Sequence, residues 1–185
     1  MLKDIELRPG DVLCVRGDMP VVSAGIRLVE WFLSKDGEAT YGHSAIVGTA
    51  GGTLLDTLWK VRWSHIDRYA GQQMIIARPT KTLRGLVITD AAKSVALKMI
   101  SAADHGRVYP VHRIPLHLFW PLPKFLSAGR QKVCSERTAW DLCIVGAMDE
   151  PWAGITPDDL ADRWRRWSNF DVIFEGVWPG AVVRD

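Results

Sequence analysis

Tyr41-Gly42-His43-Ser44-Ala45-Ile46-Val47-Gly48-Thr49-Ala50-Gly51-Gly52-Thr53-Leu54-Leu55-Asp56-Thr57-Leu58 reads as two short strands, Ser44 to Gly48 and Thr53 to Leu58, around a glycine turn. It is the clearest β signal in the chain. Upstream, Pro9-Gly10 leads into a strand over Asp11 to Val15, and Val22 to Leu33 places Ile26, Val29 and Leu33 on one stripe, helical spacing with Ser23 as cap. Downstream, Gln73 to Arg78 is a further strand closed by Pro79. From Thr89 the period changes: Ala92, Val95, Ala96, Met99, Ile100 and Ala103 predict a helix capped by Thr89 and stopped by Gly106. Residues 107 to 132 hold Pro110, Pro115, Pro121 and Pro123, which predicts an extended connection. Its apolar part, Ile114 to Leu126, reads as a lid or buried arm. Cys134 to Val145 resumes helical spacing. Ile155-Thr156-Pro157-Asp158-Asp159-Leu160 opens another helix, with Thr156 as cap, Pro157 at the first helical position and acids in the first turn. Phe170 to Phe174 is the expected closing strand.

Composition narrows the function classes. The 185 residues are 48% apolar and 24% charged, enough for one globular domain over 1–185 and unlike a disordered chain. A formal net charge of +2 is too balanced for attraction to a polyanion to be the main activity, so nucleic acid is not an expected partner. The start of the chain carries Lys3, Asp4, Glu6 and Arg8 and no apolar core of a signal peptide. No run approaches the roughly 18 apolar residues of a membrane span. The expectation is a protein made in the cytoplasm, without stable membrane insertion. Cys14, Cys134 and Cys143 are few, odd in number and without C-x-x-C spacing, which argues against a disulfide framework and a structural zinc site; neither a cofactor nor a metal is expected.

The chemistry is sought at the cysteines. A thiolate is stabilised by the partly positive N–H groups of a helix's first turn, and only Cys134 sits where a loop enters a predicted helix. Cys14 falls inside a strand and Cys143 deep in the helix, where a cysteine is more often a small buried apolar residue; the same bland reading stands beside Cys134. A thiolate nucleophile needs a base, normally histidine held by a third polar group. His43 opens its strand, the position from which a side chain can face a helix terminus, although a hydrogen-bonded structural histidine is the commoner reading of such a residue. Asp56, flanked by leucines on the partner strand, must point outward or be paired, and a histidine next door would pair it.

Taken in order, Pro9-Gly10-Asp11, Tyr41 to Val47, Leu54-Leu55-Asp56, Val133-Cys134-Ser135-Glu136 and Ile155 to Leu160 resemble the circularly permuted NlpC/P60-like (papain-like) cysteine hydrolases of the YiiX/YebB type. The resemblance spans about residues 9 to 162, and motif order carries it: in the permuted group histidine comes first, on a strand, and cysteine later, at a helix start. It implies a papain-like core, Cys134 as nucleophile, His43 as base and a polar third residue. Asp56 stands where these relatives often have glutamate. The resemblance also suggests that Tyr109 lines the oxyanion site. Ser135, next to the nucleophile, is a further candidate for oxyanion or substrate contacts.

The combined expectation is an α+β domain, an antiparallel sheet packed against helices, working as a thiol hydrolase on an amide bond. Within the resembled family, peptides of the bacterial cell wall are the first substrate class. A phage-encoded or tail-associated protein, with a virion component as partner, would reach that wall. The alternatives are a thioesterase, acyltransferase or deamidase on the same triad, since the triad fixes the nucleophile and not the leaving group, or a non-enzymatic virion or interaction protein that keeps the fold. Two other features stay open between function and packing. Trp120, Trp152, Trp164, Trp167 and Trp178 cluster late and could line a glycan groove, with core packing favoured. Segment 107 to 137 sets six cations against Glu136 alone, which suits an anionic partner or a solvated loop equally.

Overall fold

The computed structural model describes residues 5–16, 40–57, 60–107, 133–149 and 155–180. They form an α+β arrangement: one six-stranded, wholly antiparallel sheet in the order β4-β3-β2-β1-β5-β6, with three helices. The strands are β1 (Val12–Val15), β2 (His43–Val47), β3 (Thr53–Thr57), β4 (Val61–His65), β5 (Gln73–Pro79) and β6 (Phe170–Val177). The helices are α1 (Asp90–Asp104), α2 (Cys134–Ile144) and α3 (Pro157–Arg166), and a 3-10 turn covers Ile66–Tyr69.

β1 and β2 are buried along their whole length because alternate side chains feed two apolar layers. Val12, Cys14, Ile46, Leu55, Ile75 and Ala77 face the helices and meet Leu142, Leu160 and Trp164. Leu13, Val15, Ala45, Val47, Leu54, Met74 and Ile76 face the other way, under Tyr69, Ile66, Leu7 and Trp178. α2 packs on β2, and α3 on β1 and β6.

The hairpin forms as β2 and β3, in the register Ala45↔Asp56, Ile46↔Leu55, Val47↔Leu54. β1 begins at Val12 rather than Asp11, whose buried carboxylate is taken by the Arg78 guanidinium at 2.8 Å and by the Arg8 N–H at 2.8 Å. Gly10, before it, has φ +82° and donates its N–H to the Val47 carbonyl at 2.7 Å. A Cβ at Gly10 would lie 2.6 Å from the Lys93 Cβ, so only glycine fits this turn against α1.

Thr89 caps α1 by accepting the Ala92 N–H at 3.2 Å, and Gly106 follows its end at φ +78°. Thr156 and Asp159 cap α3 reciprocally, with Pro157 in the first turn. β6 runs on past the expected Phe174 to Val177, paired with β5 across an irregularity at Ile76 and Ala77. β4 and the 3-10 turn were not expected from the sequence. Trp164 and Trp178 are buried and Trp167 packs against the helical core, so these three serve packing and not a groove. The expected helix over Val22 to Leu33, the proline-rich connection with its Ile114 to Leu126 arm, Tyr109, Trp120 and Trp152 lie outside the described residues. Among the described residues, no helix is long and apolar enough to cross a membrane.

Candidate active site

Strand register brings the first pair together. Ala45 lies opposite Asp56, and His43, two residues from Ala45, shares its face, so His43 and Asp56 are diagonal neighbours across β2 and β3. Their side chains meet at 2.7 Å, His43 Nε2 to Asp56 Oδ1, with both groups buried. The other oxygen, Asp56 Oδ2, accepts the Ser64 hydroxyl at 2.9 Å, the Tyr69 hydroxyl at 2.9 Å and Arg68 Nη1 at 3.4 Å. A fully buried carboxylate is thus paired and hydrogen-bonded on both oxygens, the condition under which burying it is tolerable. The Tyr69 ring also flanks the imidazole, centroid to centroid 5.9 Å.

Ser44 alternates to the opposite face and meets α2. The Thr138 hydroxyl lies 3.1 Å from Ser44 Oγ and 3.2 Å from the Cys134 carbonyl. This seats the start of α2 against the start of β2, and the Cys134 and His43 side chains are hydrogen-bonded. Since Nε2 serves Asp56, Nδ1 is the ring nitrogen left for the sulfur. The helix begins at Cys134 itself, after Val133, which brings no side-chain acceptor to the first turn; Glu136 reaches back instead to accept the Val133 N–H at 3.2 Å. The sulfur therefore sits at the positive end of the helix. Ser135 turns its hydroxyl away, donating to the Ile155 carbonyl at 2.6 Å, so any oxyanion contact from Ser135 would use its backbone N–H.

The electrostatics follow the geometry. Burial disfavours the His43 cation, but the Asp56 carboxylate and the Cys134 sulfur outweigh burial and raise its pKa. Burial likewise works against the Asp56 anion, and the imidazolium together with the hydroxyls of Tyr69 and Ser64 lowers its pKa below the usual carboxylate range. The effect is reciprocal: a cation that is favoured by the sulfur favours the thiolate in return.

Of the sequence-derived candidates, the structure brings Cys134, His43 and Asp56 together and gives Ser135 a structural bond. Ser64, Arg68 and Tyr69 were missed, because they come from the unexpected β4 and 3-10 turn. Among the described residues, no three His, Cys, Asp or Glu side chains converge as metal ligands. Cys14 is buried with its thiol 3.3 Å from the Pro157 carbonyl, and Cys143 is partly buried.

Asp11, paired with Arg78, is one buried acid off this network, and Asp141 is another. Asp141 is two turns along α2 from Cys134 and on the same side of the helix; its Oδ1 has no hydrogen-bond partner among the described residues, and burial pushes its carboxyl up to about 7. A raised acid pKa means that the folded protein prefers the protonated form. Stability therefore falls as pH rises from the unfolded value near 4 through 7, by at most about 4 kcal/mol. Asp141→Asn is expected to flatten that dependence and to gain more in urea midpoint at pH 8 than at pH 5; equal changes at both values would refute the assignment.

No protein-family model matches the chain, and a search of curated proteins finds no significant match.

Proposed function

We propose that the protein is a papain-like cysteine hydrolase of permuted order that cleaves an amide bond, with a peptide of the bacterial cell wall as its first substrate class. The observation that carries this reading is the buried chain of contacts from Cys134 at a helix N-terminus, through His43, to Asp56. Asp56 fixes Nε2 as the protonated nitrogen and leaves Nδ1 to exchange a proton with the sulfur. The Cys134 thiolate attacks the carbonyl carbon, a C–S bond forms, and the oxyanion is held by N–H groups of the first helical turn. The His43 imidazolium protonates the leaving nitrogen as the C–N bond breaks, giving a thioester on Cys134. Water then attacks, His43 takes its proton, and the C–S bond breaks to release the carboxylic acid.

The same steps accommodate a thioester donor or a different acceptor, so the test is a panel. Purified protein is incubated with muropeptides, with acyl thioesters and with glutamine-containing peptides, and both intact mass and released product are measured. The expected result is turnover of a muropeptide and, under rapid quench, an acyl adduct on the Cys134 peptide that Cys134→Ala does not form. Turnover of thioesters alone would move the reading to acyl transfer, and hydrolysis unchanged in Cys134→Ala would end it.

A further inference from the structure

The segment Ile155 to Asp158, entering α3, is tied to α2, to the entry of β2 and to β1. On the nucleophile's side, Ser135 donates its hydroxyl to the Ile155 carbonyl at 2.6 Å in a buried contact. On the base's side, the Asp158 carboxylate accepts the N–H of Thr40 at 2.9 Å through Oδ2 and the N–H of Tyr41 at 3.2 Å through Oδ1, just before His43. Between them, the Cys14 thiol of β1 lies 3.3 Å from the Pro157 carbonyl, and Cys14 pairs with Ser44 in the sheet. Ile155 and Pro157 are themselves buried.

Helix capping does not account for Asp158. Thr156 and Asp159 satisfy each other at the start of α3: the Thr156 hydroxyl accepts the Asp159 N–H at 3.1 Å, and Asp159 Oδ2 accepts the Thr156 N–H at 3.0 Å. Asp158 spends both oxygens on the backbone of another segment. Further out, Arg165 of α3 lies over the Tyr41 ring, 5.8 Å to its centroid, so the same helix grips Tyr41 by ring and by backbone.

We propose that Ile155 to Asp158 is a clamp that sets the separation of Cys134 and His43, with Asp158 a positioning residue that holds the strand entry carrying the base. The inference rests on the hydrolase reading and adds to it the part that fixes the geometry. Cys134 and His43 arrive from distant parts of the chain, and the contact between them is sensitive to position: a misplacement of about 1 Å can cost roughly 10²-fold in rate. The clamp holds one side of that pair through Ser135 and the other through Thr40 and Tyr41.

The test is made on the full chain, with Asp158→Ala, the milder Asp158→Asn, Ser135→Ala from the other side of the clamp, and Asp159→Asn, which weakens the α3 cap and leaves the clamp contacts in place. Folding is followed by circular dichroism. The ultraviolet thiolate absorbance of each protein, less that of the same protein with Cys134→Ala, is followed against pH, and kcat and KM are measured on whichever substrate the panel identifies. In wild type the thiolate is expected to persist well below the ordinary thiol pKa of about 8.5. In the Asp158 and Ser135 variants its titration should move up toward that value, and kcat should fall by roughly 10²-fold with KM little changed. Asp159→Asn should lower the melting temperature and leave the titration alone. A titration that stays put in both Asp158 variants and in Ser135→Ala, or that moves equally in Asp159→Asn, overturns the clamp while the hydrolase reading stands. A wild-type protein with no thiolate below the ordinary range overturns both.

Discussion

His43→Ala is expected to lower kcat/KM by roughly 10³-fold or more, the general acid–base contribution together with the lost activation of the sulfur. The imidazole touches both the acid and the nucleophile, at 2.7 Å from Asp56 and hydrogen-bonded to Cys134. Its removal also takes away the cation that favours the thiolate, so Cys134 alkylation by iodoacetamide should shift to higher pH, toward a free thiol's value near 8.5. Asp56 keeps the hydroxyls of Ser64 and Tyr69 as well as Arg68 after the substitution, but it loses its closest charge partner, and a loss of stability of about 3 kcal/mol is expected. Rates must therefore be compared at a temperature where circular dichroism shows the variant folded. His43→Gln, which keeps a polar group against Asp56, should recover part of the stability and none of the rate. An alkylation profile identical to wild type would mean that the imidazole does not govern the sulfur.

The parts of the site that could be read in the sequence are those with local causes. The β2–β3 hairpin is written in two short β-prone runs around Gly51-Gly52, and its register alone makes His43 and Asp56 neighbours. The start of α2 at Cys134 and of α3 at Pro157 follow from loop-to-helix transitions and from the Thr156-Pro157 cap. What was hidden depends on partners supplied by the rest of the fold. Val61-Arg62-Trp63-Ser64-His65 has only Val61 buried, since β4 is an edge strand whose outer residues face solvent; without an apolar alternation nothing marks it as a strand until β3 pairs with it. Ser64 and Tyr69 could not be placed on Asp56 for the same reason. The contact of Cys134 with His43 is non-local, and no periodicity predicts it; the order of motifs did. Asp158 shows a different limit. An acid in a first helical turn satisfies the helix dipole, so its residue type fits capping equally well, and only the observed bonds to Thr40 and Tyr41 separate the two roles.

Asp56→Asn tests the third member through its effect on the proton and not on shape. The carboxylate accepts from His43 Nε2, which makes Nε2 the protonated nitrogen and Nδ1 the basic one. An asparagine can give its carbonyl oxygen to the Ser64 and Tyr69 hydroxyls, and then turns an N–H donor toward Nε2. The neutral imidazole would carry its proton on Nδ1 instead, facing the sulfur and unable to accept from it, so a fall in kcat of about 10³- to 10⁴-fold is expected with KM less affected. Stability should change with a definite sign. The raised pKa of His43 contributes stability that is complete below the unfolded value near 6.5 and is lost as pH rises through the folded value. The lowered pKa of Asp56 contributes stability present above its unfolded value near 4 and lost as pH falls below it. The pair therefore stabilises most between about pH 4 and 6.5, and removing the Asp56 charge removes most of both effects. Urea midpoints of wild type minus Asp56→Asn, measured from pH 5 to pH 9, should be largest at pH 5 and shrink toward pH 9; the Asp141 dependence, common to both proteins, cancels in that difference. A difference that is flat across the range would show that His43 and Asp56 share a hydrogen bond without the charge that the proposed chemistry requires.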